Sequence, residues 1–243
     1  MRIAVAGATG IVGTWIVREA RAAGHDVLPV ARAQGADLIT GTGVHLDGAE
    51  VIIDASGPRT GSAQQARAFF AATSSTLLRA GVESGVRHLV SLGIVGAAKA
   101  PYGYYAGKAL QERLVATGPI PWTLLRSTQF FEFAEKHVQK LGPWWALPVM
   151  RSQPVAAASV ARRLVELAVE PPRFGALELA GPERMSLAEV LRTRDRALGV
   201  RRTVIELRAP GGFARALRDS TILPGPDAEI VGPRCAEWAA SPA

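Results

Sequence analysis

Short β-branched runs alternate with longer amphipathic stretches through the first half of the chain. The runs Arg2–Ala6, Asp26–Ala31, Val51–Ala55, His88–Leu92 and Trp122–Arg126 predict strands; Ile11–Ala23, Ala63–Ser84, Tyr104–Thr117 and Phe130–Leu141 predict helices. In the second helix Phe69, Phe70, Leu77, Leu78, Ala80 and Val82 recur at three-to-four spacing, which turns one face toward a sheet. This alternation is the pattern of a parallel sheet covered by helices. Between Arg32 and Glu50 the chain is too short for a helix, a full parallel strand and another helix, so the sheet is expected to be trimmed there, with Thr40–Gly43 as a loop. After Gly142 the pattern weakens at Pro143, Trp144, Trp145 and Pro148. It resumes as a helix over Ala157–Val169, a strand over Ala176–Ala180, a helix to Leu198 opened by a Ser186/Glu189 capping box, and a strand over Thr203–Leu207.

Between the first strand and first helix stands Gly7-Ala8-Thr9-Gly10-Ile11-Val12-Gly13. Gly7 permits a tight turn, Gly10 lets backbone approach a pyrophosphate, and Gly13 lets helix and strand pack closely, while free N–H groups at the helix start meet phosphate charge. The expected fold class is therefore α/β, a Rossmann-type doubly wound parallel sheet, with Gly7, Thr9, Gly10, Ile11, Val12 and Gly13 binding a dinucleotide. The second strand ends Val30-Ala31-Arg32. A cation at that position suits a 2′-phosphate where a carboxylate would repel it, so NADP(H) is expected over NAD(H), with Asp37 nearby as the contrary signal. Ala55-Ser56-Gly57, closing the third strand, is the small-residue loop expected to pass over the cofactor.

Tyr104 and Lys108, four apart on a predicted helix, share a face. Bringing a tyrosine from its ordinary pKa of about 10 to about 7 takes roughly 4 kcal/mol, and a nearby ammonium acts in that direction. Such a tyrosine protonates a carbonyl oxygen as hydride arrives from a nicotinamide. Downstream, Phe130, Phe131, Phe133, Trp144, Trp145 and Met150 either wall a pocket for a flat apolar substrate or form core between two parts of the molecule; His137 is a further candidate beside them.

The 243 residues suffice for one sizeable core. The net charge of +7 comes largely from dispersed arginines, densest at Arg192, Arg194, Arg196, Arg201 and Arg202, with no interleaved aromatics, so no nucleic-acid partner is expected. A single cysteine, Cys235, allows no internal disulfide or thiolate zinc site, and no long apolar run or secretory leader is evident, so the expected setting is the cytoplasm without a membrane partner. His25, His45 and His88 show no metal-ligand spacing.

Taken in order, the glycine turn, the Arg-ended second strand, Ser91 on a later strand and Tyr104-Tyr105-Ala106-Gly107-Lys108 followed by Glu112 resemble the short-chain dehydrogenase/reductase superfamily, and within it the atypical NmrA-like NAD(P)H-binding branch. Leu125-Arg126-Ser127-Thr128-Gln129-Phe130 and Gln153-Pro154-Val155 add to the likeness. The resemblance implies Tyr104 as catalytic acid, Lys108 as its partner and a holder of the nicotinamide ribose, and Ser91 as the residue positioning the substrate oxygen, with Leu92 taking that place under a one-residue shift. Gln129, Phe130, Phe133 and Trp144 would meet a small-molecule substrate. It also implies one NAD(P)-binding domain over 1–243, its core at about 1–150 and a small α/β substrate lobe built mainly from 143–243, in a monomer or homodimer. An NADPH-dependent reductase of carbonyls or quinones is the leading expectation. A non-catalytic NADP(H) sensor acting on a protein partner, and a nucleotide-sugar epimerase or dehydratase, are the alternatives.

Overall fold

The structure, a computed structural model, describes residues 1–241 apart from the side chain of His137, so that candidate lies outside the described residues. In chain order the elements are β1 (Arg2–Ala6), α1 (Ile11–Ala22), β2 (Asp26–Val30), β3 (Val51–Asp54), α2 (Ala63–Glu83), β4 (His88–Ile94), α3 (Gly103–Ala116), β5 (Trp122–Ser127) and α4 (Phe131–His137). There follow β6 (Gln139–Leu141), β7 (Trp144–Pro148), α5 (Ala157–Val169), β8 (Ala176–Ala180), α6 (Leu187–Leu198), β9 (Thr203–Leu207), α7 (Gly212–Arg218), β10 (Glu229–Ile230) and α8 (Cys235–Ala240). Seven strands form a parallel sheet in the order β10-β8-β5-β4-β3-β1-β2. The fold is the Rossmann-type doubly wound sheet that the sequence pattern predicts. It is trimmed beyond β2, which is the edge strand, and residues 36–50 form a loop with only turns.

Alternation along each strand sends neighbouring side chains to opposite faces. Ile3, Val5, Ile53, Val90, Leu92 and Leu125 pack under α1 and α5. Ala4, Ile52, Leu89 and Leu124 pack under α2 and α3, which meet each other closely at Gly107, where a Cβ would lie 2.6 Å from the Phe70 ring and 2.7 Å from Ala66. Both faces are covered, as an all-parallel sheet requires.

Two expectations need correction. The helix predicted over Phe130–Leu141 stops at His137: the chain becomes extended at Val138, and Gly142, with φ of +56°, reverses it into a β6–β7 hairpin. The Trp144–Pro148 segment is strand β7, because it pairs in parallel with distant β9, from Trp144 opposite Thr203 to Pro148 opposite Leu207. The small sheet β6-β7-β9 and α4, α6, α7 and α8 surround a second core that includes Phe131, Leu147, Leu187, Leu191 and Leu217. This second layer is not one contiguous stretch. Helix α5 packs on α1, while β8 and β10 extend the main sheet.

Candidate active site

The turn after β1 is shaped by contacts that only glycine permits. Gly7 has φ of +77°, and a Cβ there would lie 2.9 Å from the backbone of Ala55 and Ser56; a Cβ on Gly13 would lie 2.0 Å from the Gly7 carbonyl oxygen. Gly7 donates from its N–H to the Val30 carbonyl at 3.1 Å, and Gly10 donates to the Gly7 carbonyl at 2.9 Å, closing the turn. Helix α1 starts from Gly10 without a side-chain cap and carries no acidic residue in its first turn, so the first N–H groups, at Ile11, Val12 and Gly13, are left for an anion. Thr9 and Gly10 are exposed beside them. The bare backbone cradle and the uncapped helix start fit the diphosphate of a dinucleotide.

Arg32 opens a single 3-10 turn past β2, is exposed, and makes no ion pair among the described residues. The competing carboxylate, Asp37, is engaged locally: its Oδ1 accepts the Ile39 N–H at 2.8 Å. Arg32 is thus a guanidinium without an ion pair at the strand end, and Asp37 keeps its own charge five residues on.

The α3-covered face becomes polar toward the carboxyl ends of β3 and β4. Asp54, at the end of β3, is in register with Ser91 and so shares its face. Asp54 Oδ1 accepts the Ser56 N–H at 2.9 Å, and Oδ2 accepts Gln111 Nε2 at 2.7 Å. Lys108 donates from Nζ to the Leu92 carbonyl at 2.7 Å and to Gln111 Oε1 at 2.8 Å, with the Phe70 ring 4.7 Å away. Only 3% of Lys108 is exposed; burial lowers its pKa to about 8, with Asp54 and Glu112 opposing the fall. One turn on, Glu112 Oε2 accepts Arg126 Nη2 at 2.7 Å and Nε at 3.0 Å, above Gly93, where a Cβ would meet Glu112 Oε1 at 2.6 Å.

Tyr104 stands at the rim of this face. Its ring meets Phe70 edge-on at 5.7 Å, and its hydroxyl would lie 2.6 Å from a Cβ on Gly57. Loop Ala55–Gly57 therefore touches the glycine turn at Gly7 and the tyrosine hydroxyl at Gly57. The hydroxyl makes no hydrogen bond among the described residues. Burial pushes its pKa above the ordinary phenol range, and the charges of Asp54 and Tyr105 add to the rise. In the ligand-free chain the effect on Tyr104 thus runs opposite to the expected lowering by Lys108, whose ammonium is directed to Leu92 and Gln111.

Ser91 is fully buried, and its Oγ has no partner among the described residues. The hydroxyl is enclosed within the sheet–helix layer. Leu92, the one-residue alternative, points to the opposite face, into the core with Val90 and Leu125.

The downstream aromatics divide. Phe131 and Met150 belong to the second core, Phe133 and Trp145 pack against it, and Phe131 stacks on Trp238 with centroids 5.0 Å apart. Phe130 packs against the core under α1 and α5. Trp144, at 50% exposure on β7, stands on the surface. Gln129 is buried and donates from Nε2 to the Tyr105 hydroxyl at 2.9 Å; burial raises the Tyr105 pKa to about 12 against that bond.

Asp54, Gln111 and Tyr105 are the site residues that sequence reasoning passed over. Asp54 ends an otherwise apolar Val-Ile-Ile run, and Gln111 lies three residues beyond Lys108 on the same helix face. Those are the signals that mark them.

No protein-family model matches the chain, and no curated protein matches it in sequence. Its fold is similar to that of many solved structures. A UDP-glucose 4-epimerase from Bifidobacterium longum in complex with NAD+ and UDP is 14% identical, with 99% of this chain and 96% of that one covered and a TM-score of 0.73. A short-chain dehydrogenase/reductase superfamily protein from Agrobacterium tumefaciens with bound NAD is 16% identical, with coverage of 99% and 96% and a TM-score of 0.68. An NADPH-dependent quinone oxidoreductase from Escherichia coli is 19% identical, with coverage of 90% and 87% and a TM-score of 0.58. Among the described residues no helix is long and apolar enough to cross a membrane, and no cluster of His, Cys, Asp and Glu could hold a metal ion.

Proposed function

We propose that this chain is an NADPH-dependent reductase of the short-chain dehydrogenase/reductase type, acting on the carbonyl or quinone of a small apolar or aromatic substrate with Tyr104 as proton donor. One observation carries the reading: a single loop, Ala55–Gly57, meets both the glycine turn suited to a diphosphate and the hydroxyl of Tyr104. The turn from Gly7 to Gly13 and loop residues Ala55, Ser56 and Gly57 would hold the dinucleotide, and Arg32 would meet the 2′-phosphate. When bound, reduced nicotinamide supplies hydride. Tyr104 would hold a proton at its hydroxyl for the substrate oxygen; burial makes it a weaker acid in the ligand-free chain, so this reading requires the Lys108 ammonium to offset that rise when cofactor and substrate are bound. Proton transfer to substrate leaves a tyrosinate, which solvent must reprotonate before the next turnover. Lys108 would hold the ribose and keep a positive charge beneath the site.

NADPH oxidation followed by absorbance against a panel of ketones, aldehydes and quinones tests this function; binding without oxidation of any member would overturn it. Arg32→Glu tests the cofactor choice, with NADPH affinity expected to fall about tenfold or more and NADH affinity to hold. An equal change for both coenzymes removes Arg32 from phosphate recognition. A sensor that binds NADP(H) without turnover is the second reading, favoured by the enclosed hydroxyl of Ser91, and the same panel separates the two. Nucleotide-sugar epimerisation has the fold of several neighbours in its favour and is tested with UDP-glucose and NAD+.

A further inference from the structure

Lys108 is the one buried lysine of the chain; the other three, Lys99, Lys136 and Lys140, are exposed. An ammonium in such a place needs acceptors and a compensating charge. Its two acceptors are the Leu92 carbonyl, fixed by the β4 backbone, and Gln111 Oε1, which is fixed only if something sets the amide. Asp54 does so. With its NH2 on the Asp54 carboxylate, Gln111 must turn its carbonyl oxygen to Lys108; a flipped amide would set oxygen against carboxylate and NH2 against ammonium. The other Asp54 oxygen holds the Ser56 N–H, in the loop against Gly7 and Tyr104.

We propose that Asp54 and Gln111 are positioning residues: together they retain Lys108 as an oriented ammonium and tie its placement to the loop Ala55–Gly57 under the dinucleotide. Neither is a catalytic residue, since each acts through Lys108 or the loop. The inference rests on the NADPH reading only for what the oriented ammonium serves; the relay itself is a property of the ligand-free chain.

The charged groups around Lys108 are few. Asp54 faces it from β3 and Glu112 lies on its own helix, already paired with Arg126 of β5, while α2 contributes the Phe70 ring and α3 the phenols Tyr104 and Tyr105. Neutralising Asp54 therefore removes the counter-charge that no other residue pairs away.

Lysine labelled with carbon-13 at Cε gives four signals, and Lys108→Arg identifies the one that matters. In ligand-free protein the Lys108 signal is expected to titrate near pH 8, and to move down by about one unit in Asp54→Asn and in Gln111→Met, while the three exposed lysines stay in place. Thermal melting establishes which variants fold, and either folded variant suffices. An unmoved Lys108 midpoint in a folded variant overturns the relay. NADPH titrations on the same proteins across pH provide the second arm, with the pH at which binding weakens moved down by about one unit in both variants. Equal NADPH affinity in unaltered and altered protein across the pH range overturns the relay's role at the site. A shifted midpoint in a chain that never binds NADPH supports the relay and defeats the cofactor reading, so the two failures are distinct.

Discussion

The two faces of the seven-stranded sheet are made from the same strands and serve different ends. Under α1 and α5, Ile53, Val90, Leu92 and Leu125 interlock with Val160 and Leu164 and contribute little but apolar burial. Under α2 and α3, the residues next in sequence are Asp54, Ser91, Gly93 and Arg126, covered by Lys108, Gln111 and Glu112. Alternation by one residue separates a wall from a machine. Each buried hydrocarbon side chain on the first face stabilises by about 2 kcal/mol. On the second face desolvation of charge consumes much of that gain, and hydrogen bonds must recover it.

The contrast can be broken most severely at the polar rim. Tyr104→Phe removes a hydroxyl with no structural bond, so turnover is expected to fall about a thousandfold while NADPH affinity changes by less than a few fold; steady-state kinetics beside fluorescence titration measures both, and retained turnover dismisses Tyr104 as donor. On the apolar face, Leu92→Ala is expected to cost about 3 kcal/mol in urea unfolding, with NADPH affinity nearly unchanged if the protein is saturated with folded form.

A third test sets stability against binding through pH. The folded chain releases the Lys108 proton near pH 8, while an unfolded chain keeps it into the ordinary lysine range, so between those limits the unfolded form holds more protons and this site makes stability rise with pH. NADPH affinity should move the other way, weakening by about tenfold over a pH unit or two above 8 as the ammonium is lost. Lys108→Met should abolish both trends. The smallest effect is expected one residue from Leu92: Ser91→Ala deletes a buried hydroxyl without a partner and should leave unfolding free energy within about 0.5 kcal/mol, or raise it slightly. A large loss of turnover in that variant would restore Ser91 to the chemistry.

Sequence periodicity reaches the frame of this site and stops short of its wiring. Strands β1, β8 and β9 and helix α5 match their sequence readings to the residue because period-two and period-3.6 patterns are local and their faces are plainly apolar. The glycine turn is equally legible, since three steric requirements fall within seven residues. The β6–β7 hairpin is not, because β7 owes its conformation to β9, more than fifty residues away, and its own prolines and tryptophans read as interruptions. The Asp54–Gln111 contact spans 57 positions and exists only once α3 lies over β3. Ser91 shows the converse limit: its place in the order of motifs suggests a role, but whether its hydroxyl opens to a cleft is decided by the helix above.

The trimmed end of the sheet has its own consequence. β2 has one neighbour, and its fourth residue, Pro29, lies opposite Val5 of β1. The Val30 carbonyl faces β1, where it accepts the Gly7 N–H, so alternation turns the imide nitrogen of Pro29 outward. A strand from another copy laid along that border would find a donor missing near its carboxyl end. Edge-to-edge pairing on the flank beside Arg32 is thereby one hydrogen bond poorer.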